Sequence, residues 1–523
     1  TDVGNDEVTA GEGNGGIYIA PASDKTGESG AWVRLGFNTV KPEMYGAVGD
    51  GNTVDTNSIQ KAVEGAFNNT IKQVFFEAKT YIVDAPVNAK NDVSLVGVRG
   101  QSILKLDNNT KTQIINNPNA GNGIPVDNFS IEGLIFDANK HNAPSSGDAR
   151  SAVGISILRR FRASHCVFKN ATGYGLAHQG QPSKTSGPQE DGYIEYCSFI
   201  DNGGFSDSAN KFDGFDVKSF KRLTLFSCIA SGNQNDGIDV RGEDIVVQSC
   251  YAVSNGNTGI EAKANPNGDS VKGDISIIGC SARFNNEHGF VIADGSDSAS
   301  IVVKINMNGN RAEQNGKSGL VWTESTGNRL MAMISDFYAI GNSDHGIFVE
   351  STSIRAGNFL NITCDSNIND GFRTEGNSIS VLNGHFRNNA IGFNEVGSAN
   401  KNRLISCFFV GNTTSVKENG QLYADGCVGF KTQAHVDSSD VLVDSTGIKA
   451  VSVAHGLDIR PSNTNVSLTV TAASVNDFRI DNLRVTNTND TDVGIVIVVG
   501  AASATAGATV KIGVKVNTRP APF

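Results

Sequence analysis

The sequence predicts an all-β protein built as a right-handed parallel β-helix (a solenoid), with a short N-terminal capping helix and a C-terminal antiparallel β-sandwich domain. Two observations predict the β-helix. A frame of an asparagine, three further residues, a glycine and a large apolar residue returns about every 20 to 30 residues, from about position 200 to about 412. Between copies, apolar residues alternate over short stretches that lack the length and period of a helix. Such a repeat is typical of a solenoid in which each copy forms one coil.

The repeated asparagine is expected to form a ladder along one turn of the stacked coils. Equivalent residues of neighbouring coils lie one strand spacing apart, roughly 4.8 Å, so stacked side-chain amides can hydrogen-bond to one another. The glycine is expected to permit the backbone bend that follows. The frame assigns to the ladder Asn233, Asn255, Asn285, Asn315, Asn342, Asn388 and, in a shortened copy, Asn369.

Composition and the eight cysteines fit this architecture. Glycine is abundant (59), while proline (12) and methionine (4) are scarce, as in turn-rich β proteins. We expect buried free thiols and no metal site, because no cysteine spacing matches a zinc-ligand pattern. Six cysteines are expected to share one inward column, five residues before the asparagine: Cys197, Cys228, Cys250, Cys280, Cys364 and Cys407.

Charge and hydropathy exclude some partners. The net charge of -11 argues against a nucleic-acid partner, because phosphate binding requires basic patches, and it suits a soluble extracellular particle. The longest apolar runs are too short to span a bilayer, so no membrane insertion is expected. No secretory signal is visible, and a start at Thr1 is expected to be a processed or engineered terminus.

Three segments are predicted along the chain. Residues 1–42 hold two short strand-like pieces and form a connector. Residues 43–428 form the β-helix, which begins with an amphipathic helix whose apolar positions run from Ile59 to Phe67 and whose start Asp55 or Thr56 can cap. That helix covers the open end of the solenoid. Residues 429–523 alternate with a period of two and predict the antiparallel sandwich.

Three neighbouring coils carry a patch of acids and bases. The residue after each glycine is apolar and therefore points inward, so the next residue points outward. In three successive coils this outward residue is Asp216, Asp239 or Glu261. Two residues further on lie Lys218, Arg241 and Lys263, and the residue before the glycine adds Asp213 and Asp236. Polar insertions at 177–191 and 203–211 directly precede these coils, as solenoid insertions over a binding face do.

The patch has the composition of a glycosidase site. Glycoside hydrolysis needs one protonated and one ionised carboxyl, roughly 5 to 5.5 Å apart in retaining and 6.5 to 9.5 Å apart in inverting enzymes. Carboxyls on adjacent coils fit the first separation, and carboxyls two coils apart fit the second. Like charges this close raise at least one pKa, as a general acid requires. A solvated cross-strand ladder of ion pairs is the structural alternative.

Other residues are weaker candidates. His288 and His345 precede frame glycines, where they can contact sugar or only solvent. Arg373, Glu350 and Glu375 lie on the same face further along and are candidates for a second subsite. Trp322 is expected in the core by alternation.

A motif at the start of the β-helix resembles a known family. Residues 45–51, Tyr-Gly-Ala-Val-Gly-Asp-Gly, followed by Asp55, Thr56, Ile59 and Gln60, resemble the opening motif of the pectate-lyase-like β-helix superfamily, as found in bacteriophage tailspike depolymerases. The lead-in through residues 16–18 and 32–34 is similar to the segment before that motif in tailspikes. With the coils, the resemblance covers about residues 16–428. It departs at Val54, where tailspikes often carry an acidic residue.

The resemblance implies a homotrimeric tailspike on the virion tail, joined to the phage tail or baseplate through a missing or short N-terminal part. It would hydrolyse a bacterial surface polysaccharide, capsule or O-antigen, during host recognition and infection, without a cofactor. The C-terminal domain would trimerise, bind glycan or act as a plain cap, and the active sites would lie within or between subunits. The expected roles are Asp239 or Glu261 as general acid, Asp216, Asp213 or Asp236 as base, and Lys218, Arg241, Lys263, His288 and Arg373 as substrate-binding residues.

Two alternatives remain open at this point. In a polysaccharide lyase the acids would bind Ca²⁺, and Arg241 or a lysine would remove the proton next to a uronate carboxyl. In a non-enzymatic adhesin the same face would only bind glycan.

Overall fold

A computed structural model describes residues 16–19, 32–33 and 38–429 with gaps, together with seven strands between 433 and 517. The gaps are residues 69, 111, 123, 144–150, 156–157, 180–188, 205–211, 264–273, 294–301, 324–328, 352–353, 355–356, 398, 400 and 419–421. The chain separates into two compact units, Thr1–Met331 and Ala332–Phe523. The two polar insertions predicted to border the acidic coils lie largely outside the described residues.

The first unit opens with two short strands, Tyr18–Ile19 and Trp32–Val33, which pair antiparallel. A 3₁₀ helix, Pro42–Tyr45, precedes the helix Thr56–Phe67, and further 3₁₀ turns lie at Ala120–Asn122 and Lys140–Asn142. The helix buries the predicted apolar positions Ile59, Ala62, Val63 and Ala66, whereas Phe67, at its last position, is exposed.

Asp55 precedes the helix as its N-cap, but its side chain does not cap it. Its two carboxylate oxygens accept hydrogen bonds from the backbone amides of Val48 (2.7 Å) and Gly49 (3.1 Å). The predicted capping role was therefore wrong for the Asp55 side chain, which fixes the turn of the opening motif instead.

The first unit confirms the parallel β-helix. Its strands form three parallel series in which each strand pairs with its counterpart one coil away. Series one contains Val87–Asn88, Ile115–Asn116, Val153–Gly154, Leu176–Gln179, Ile260–Lys263, Phe290–Ala293 and Leu320–Thr323. Series two contains Gln73–Phe76, Ser94–Gly97, Val126–Asp127, Ser130–Glu132, Leu158–Arg159, Arg162–Ser164, Gln189–Glu195, Asp274–Ile278 and Val302–Asn308. The long strands Phe215–Phe226 and Ile238–Gln248 run through both series.

Series three of the first unit follows the cysteine positions. It contains Asp50–Val54, Thr80–Val83, Ser102–Leu106, Leu134–Asp137, Val167–Lys169, Ser198–Ile200, Ile229–Ser231, Tyr251–Val253, Ser281–Arg283 and Arg311–Glu313. The strand Arg329–Ser335 spans the boundary between the two units. Apolar side chains from all three series fill the interior of this unit.

The second unit has the same three series. Series one contains Ile347–Glu350, Asp370–Thr374, Ile391–Glu395 and Thr414–Lys417. Series two contains Gly357–Leu360, Ile379–Leu382, Asn402–Ile405 and Leu422–Asp425, and series three contains Tyr338–Ile340, Thr363–Asp365, His385–Arg387 and Phe408–Val410.

The C-terminal strands form two antiparallel sheets. One contains Gln433–Asp437, Val441–Leu442, Val466–Ala473 and Thr509–Asn517, and the other contains Ile448–Ala454, Ile480–Thr488 and Asp492–Val499. The packing of these sheets as a sandwich, like the domain boundary at 428, stays a prediction.

The asparagine ladder is present in both units and is buried. In the first unit, Asn255 Nδ2 donates to Asn285 Oδ1 of the next coil (2.9 Å) and to the carbonyl of Ala230 (3.2 Å). The same Asn285 Oδ1 accepts from the backbone amide of Asn255 (3.1 Å). Each amide side chain therefore acts as donor and acceptor at once, which satisfies it without water.

In the second unit, two ladder positions differ from the prediction. The ladder there includes Asn367 and Asn389, joined by a 3.0 Å side-chain hydrogen bond, whereas Asn369 and Asn388 had been assigned to it. Asn369 is exposed, and Asn388 has a left-handed backbone with φ of 55°. A residue with a left-handed backbone, Ser366 or Asn388, directly precedes each of these ladder asparagines. Because another asparagine lies one or two residues away from each, the sequence alone did not show which one belongs to the ladder.

The frame glycines are required for close packing between coils, not for a left-handed bend. A Cβ on Gly259 would lie 2.7 Å from Asn285 Nδ2 and 2.7 Å from the carbonyl oxygen of Gly289. Neither glycine has a positive φ. The predicted role of glycine in the bend was therefore wrong, and the ladder amide of the next coil occupies the space that a side chain would need.

The cysteines are free, and seven of the eight are buried. One column contains Cys166, Cys197, Cys228, Cys250 and Cys280. Within it, the backbone amide of Cys250 donates a 3.4 Å hydrogen bond to Cys280 Sγ. Cys364 was wrongly assigned to this column, because it is the register partner of Ala339 within series three. The thiols pack as small apolar side chains.

The ladder assignment predicts different costs for two nearby asparagines. Asn367 exchanges hydrogen bonds with Asn342 and Asn389 and donates to the Ala339 carbonyl, so Asn367→Ala leaves buried polar groups unpaired. We expect it to lower the free energy of unfolding by about 2 kcal/mol or more. The exposed Asn369→Ala should cost well under half as much. Denaturant unfolding of both variants checks this, and equal losses would contradict the assignment.

Candidate active site

Three neighbouring strands of series one position the acidic patch. Phe215–Phe226, Ile238–Gln248 and Ile260–Lys263 pair in parallel, with Asp216 opposite Asp239 and Asp239 opposite Glu261. The residues on either side of each acid are fully buried in the core. Strand alternation therefore directs the three carboxyls away from the core, as predicted.

The carboxyls are nevertheless buried. Asp216 is 0%, Asp239 2% and Glu261 9% exposed, so the patch is not the solvated ladder of ion pairs that was the structural alternative. The cationic side chains two residues after each acid, Lys218, Arg241 and Lys263, contact these carboxyls and remain partly exposed. The burial matters because charges out of water interact more strongly than charges on a surface.

Cations contact all three outward acids. Lys218 Nζ lies 3.3 Å from Asp216 Oδ2, and Lys263 Nζ contacts Glu261 Oε2. Asp239 is contacted by two cations, with Arg241 Nη2 at 2.5 Å and Lys263 Nζ at 3.7 Å. Asp239 is thus the acid of this row whose negative charge is best compensated.

Asp213 and Asp236 lie beside this row and are held by hydrogen bonds from the next coil. Asp213 Oδ1 accepts from the backbone amide of Asp236 (2.9 Å) and from Asn235 Nδ2 (2.7 Å). Asp236 Oδ1 accepts from the backbone amide of Thr258 (2.9 Å) and from Asn257 Nδ2 (2.8 Å). Each aspartate therefore has one oxygen committed to joining coils, which restricts its use as a base.

Burial and neighbouring carboxylates raise the pKa values of three of the acids, Asp213, Asp236 and Glu261. The pKa of Glu261 is raised to about 8, mainly by burial and secondly by the Asp239 and Asp236 carboxylates. Burial and the Asp236 carboxylate raise the pKa of Asp213 well above its usual range. Burial and Asp239 also raise the pKa of Asp236, although the Thr258 amide opposes this. The upward pKa shifts of Asp213, Asp236 and Glu261 favour the neutral form of these acids, which lowers the repulsion within the patch.

The carboxylate oxygens are close enough to hold a metal ion. One oxygen each from Asp236, Asp239 and Glu261 lie within 4.8 Å of one another, and the same holds for Asp213, Asp216 and Asp239. Ca²⁺ takes six to eight oxygen ligands. Here Arg241 and Lys263 already neutralise Asp239, which both groups share, so the donor set fits a calcium ion poorly.

Two predicted substrate-binding residues lie apart from the three-coil patch. His288 shares the column of Asp213 and Asp236, one coil beyond Thr258, and its Nδ1 accepts from the Ser318 amide (3.3 Å), so it also joins coils. Arg373 lies in the second unit, where His345 proves to be buried rather than exposed to sugar. Trp322 is fully buried, as predicted.

Asn235 and Asn257 were missed by sequence analysis, although a signal for them exists. Each lies two residues after a ladder asparagine and directs its amide at an aspartate of the patch. The amides stabilise Asp213 and Asp236 in fixed positions, so they contribute to the geometry of the site.

Comparison with known proteins confirms the predicted resemblance. A family model described as rhamnogalacturonase A/epimerase, pectate lyase-like, matches residues 40–282. A curated protein of Klebsiella phage K64-1, a depolymerase specific for capsule K30/K69, is 25% identical over 298 residues, which is 54% of this chain and 34% of that protein. The chain thus spans about a third of the length of this relative.

Solved structures share the fold at low sequence identity. The tailspike protein of E. coli bacteriophage HK620, in complex with a hexasaccharide, matches with a TM-score of 0.57 and 12% identity over 97% of this chain and 98% of that one. The A-module of the mannuronan C-5 epimerase AlgE4 of Azotobacter vinelandii matches with a TM-score of 0.54 and 18% identity over 73% and 98% of the two chains. Among the described residues, no helix is long and apolar enough to cross a membrane.

Proposed function

We propose that the protein is a phage tailspike enzyme that hydrolyses glycosidic bonds of a bacterial surface polysaccharide. The observation that carries the proposal is the pair Asp239 and Glu261, neighbours in register, of which Asp239 is contacted by two cations and Glu261 has its pKa raised. The similarity to a phage capsule depolymerase and to pectate-lyase-like proteins supports a polysaccharide as the substrate. Location on the virion tail agrees with the similarity to tailspike proteins.

Glu261 is proposed as the general acid. Its pKa of about 8 keeps it protonated at neutral pH, so it can donate a proton to the oxygen of the leaving sugar. Lys263 contacts Glu261 and also lies 3.7 Å from Asp239, which places its charge between the two carboxyls. When Glu261 gives up its proton, Lys263 can stabilise the carboxylate that forms.

Asp239 is proposed as the ionised partner. It stabilises positive charge that develops on the sugar ring, either by direct attack or by orienting a water molecule. Asp216, two coils from Glu261, is the alternative base at the longer separation. Asp236 raises the pKa of Glu261 and of Asp213, and hydrogen bonds to the next coil hold both Asp213 and Asp236 in place.

The three cations are proposed to orient the substrate as well. Lys218, Arg241 and Lys263 are partly exposed while their acid partners are buried. They therefore present positive charge at the surface of the patch, where it would attract acidic sugars.

A calcium-assisted lyase is the second candidate: two groups of carboxylate oxygens lie close together, but Asp239, which both groups share, already pairs with Arg241 and Lys263. An unsaturated, ultraviolet-absorbing product that disappears with chelator would establish it and exclude hydrolysis. Binding of glycan without cleavage on a broad panel would favour the adhesin alternative.

Substitution of the two central acids should abolish cleavage. We expect Glu261→Gln and Asp239→Asn each to lower the rate of polysaccharide depolymerisation by about 10²- to 10⁴-fold, the usual contribution of a general acid or base. Glu287→Gln is the matched control, because Glu287 pairs with Lys317 one coil further on and lies outside the patch. Reducing-end release measures the rates. Near wild-type activity in both patch variants would refute the assignment.

The pH dependence should report Glu261. A general acid works only when protonated, so kcat/KM should fall tenfold per pH unit above about pH 8, where Glu261 loses its proton. A lyase would show the opposite trend over this range, because its base becomes active as it loses a proton. A rate that rises steadily through pH 8 to 9 would therefore contradict the proposed role.

A homotrimer is proposed as the working assembly. The first unit exposes large apolar side chains around the turn between series two and series three, including Tyr193, Tyr196 and Ile229. Exposed apolar patches are typical of protein–protein contacts. Light scattering should give the mass of three chains, and Tyr196→Asp with Ile229→Asp should shift the mass toward one chain. A monomeric wild type would contradict the trimer.

A further inference from the structure

The second unit contains another polar cluster on series one. Its strands Ile347–Glu350, Asp370–Thr374 and Ile391–Glu395 place Phe348, Arg373 and Asn394 in register on three successive coils. The residues directly before the frame glycines, His345 and Asp370, lie next to this row. The cluster thus uses the same two positions of the coil as the acidic patch of the first unit, with a different set of side chains.

Within the cluster, Asn394 is held by a hydrogen bond, whereas Arg373 is held by weaker contacts. The Arg373 guanidinium lies over the Phe348 ring, 5.3 Å from the centroid, and its Nη1 is 4.0 Å from Asp370 Oδ2. Asn394 Nδ2 donates to the same Asp370 Oδ2 at 2.9 Å. Asn394 is therefore fixed, while Arg373 has only a long ion pair and a ring contact to hold it.

Two polar atoms of the cluster lack partners. Within the described part of the chain, neither Arg373 Nε nor Asn394 Oδ1 has a hydrogen-bond partner, and both atoms are buried. Asn394 as a residue is only 4% exposed. Buried polar atoms are nearly always paired, so a donor and an acceptor left unpaired on neighbouring strands indicate a group that binds between them.

The cluster carries one arginine and two carboxylates, Asp370 and Asp344, so it is slightly negative. Arg373 and Asp370 oppose each other in charge, and His345 accepts a hydrogen bond at Nδ1 from the Asp370 backbone amide (3.2 Å). Burial lowers the pKa of His345, although the nearby Asp344 and Asp370 carboxylates oppose this, so the ring is neutral at pH 7. Its Nε2 lies 3.2 Å from Asp344 Oδ1 and can donate a hydrogen bond to it. An anionic ligand would therefore gain little here.

The geometry points to a second saccharide-binding site, in which a sugar hydroxyl accepts a hydrogen bond from Arg373 Nε and donates one to Asn394 Oδ1. A hydroxyl group is a donor and an acceptor in one atom, which matches the two unpaired atoms. A carboxylate has no proton to give Asn394 and is repelled by Asp370, so the group that binds between the two atoms is a hydroxyl and not a carboxylate. The Arg373 side chain is partly exposed, so a ligand can approach it from solvent. The inference rests on the proposed function in that the ligand is a saccharide.

Binding to an array of purified bacterial capsular polysaccharides and O-antigens tests the site. Arg373→Lys keeps the charge near Asp370 but removes the Nε donor, and Asn394→Ala removes the acceptor. Each substitution is expected to lower by at least tenfold the affinity for the glycan that the wild-type protein binds on the array. Arg403→Lys, an exposed arginine on series two, is the matched control and should bind as the wild type does. Thermal unfolding verifies that each variant is folded.

The outcomes separate this inference from the proposed hydrolase. Wild-type binding by Arg373→Lys and Asn394→Ala, with cleavage intact, would overturn the second site and leave the hydrolase standing. Binding that depends on Arg373 in a protein that cleaves nothing would support the site and refute the hydrolase. A wild type that binds no glycan on the array would overturn the second site.

Discussion

Stacking of coils in parallel register is the constraint on which the rest of this structure depends. Each side chain has its counterpart about one strand spacing away, roughly 4.8 Å, so every position must be occupied by residues that tolerate a like neighbour. Asparagine meets this condition, because its amide donates to the next coil and accepts from the previous one. Aspartate and glutamate do not, because like charges repel. Stacking of equivalent positions one strand spacing apart therefore stabilises the asparagine ladder and brings the like charges of the acidic patch together.

The acidic patch persists because three mechanisms offset the repulsion between its members. Cations contact the outward row, backbone amides of the next coil hold Asp213 and Asp236, and burial raises the pKa of Asp213, Asp236 and Glu261. Glu261, at the end of the row, has its pKa raised to about 8, whereas Asp239 is neutralised by two cations. A structure that stacks acids for stability alone would be unusual, since buried charges seldom stabilise a fold. The strain is better explained by chemistry that needs a protonated and an ionised carboxyl side by side.

The sequence predicted what depends on periodicity and missed what depends on contacts between coils. Counting from each frame glycine placed Asp216, Asp239 and Glu261 in one outward row, because strand alternation has a fixed period of two. The same counting failed at Asn369 and Cys364, where the spacing within a coil changes and only pairing with the next coil defines the register. Burial of the acids was not predictable either, because it depends on how long side chains fold back in three dimensions.

The central claim is that Glu261 is a buried, protonated carboxyl at neutral pH beside ionised Asp239. Infrared difference spectroscopy of the carboxyl stretch across a pH titration tests it most directly, with Glu261→Gln as the reference. The account predicts a protonated-carboxyl component in the wild type at pH 7 that disappears near pH 8 and is absent from the variant. If the wild type and Glu261→Gln give the same spectra from pH 6 to 9, Glu261 is not the proton carrier and the assignment of the site is wrong.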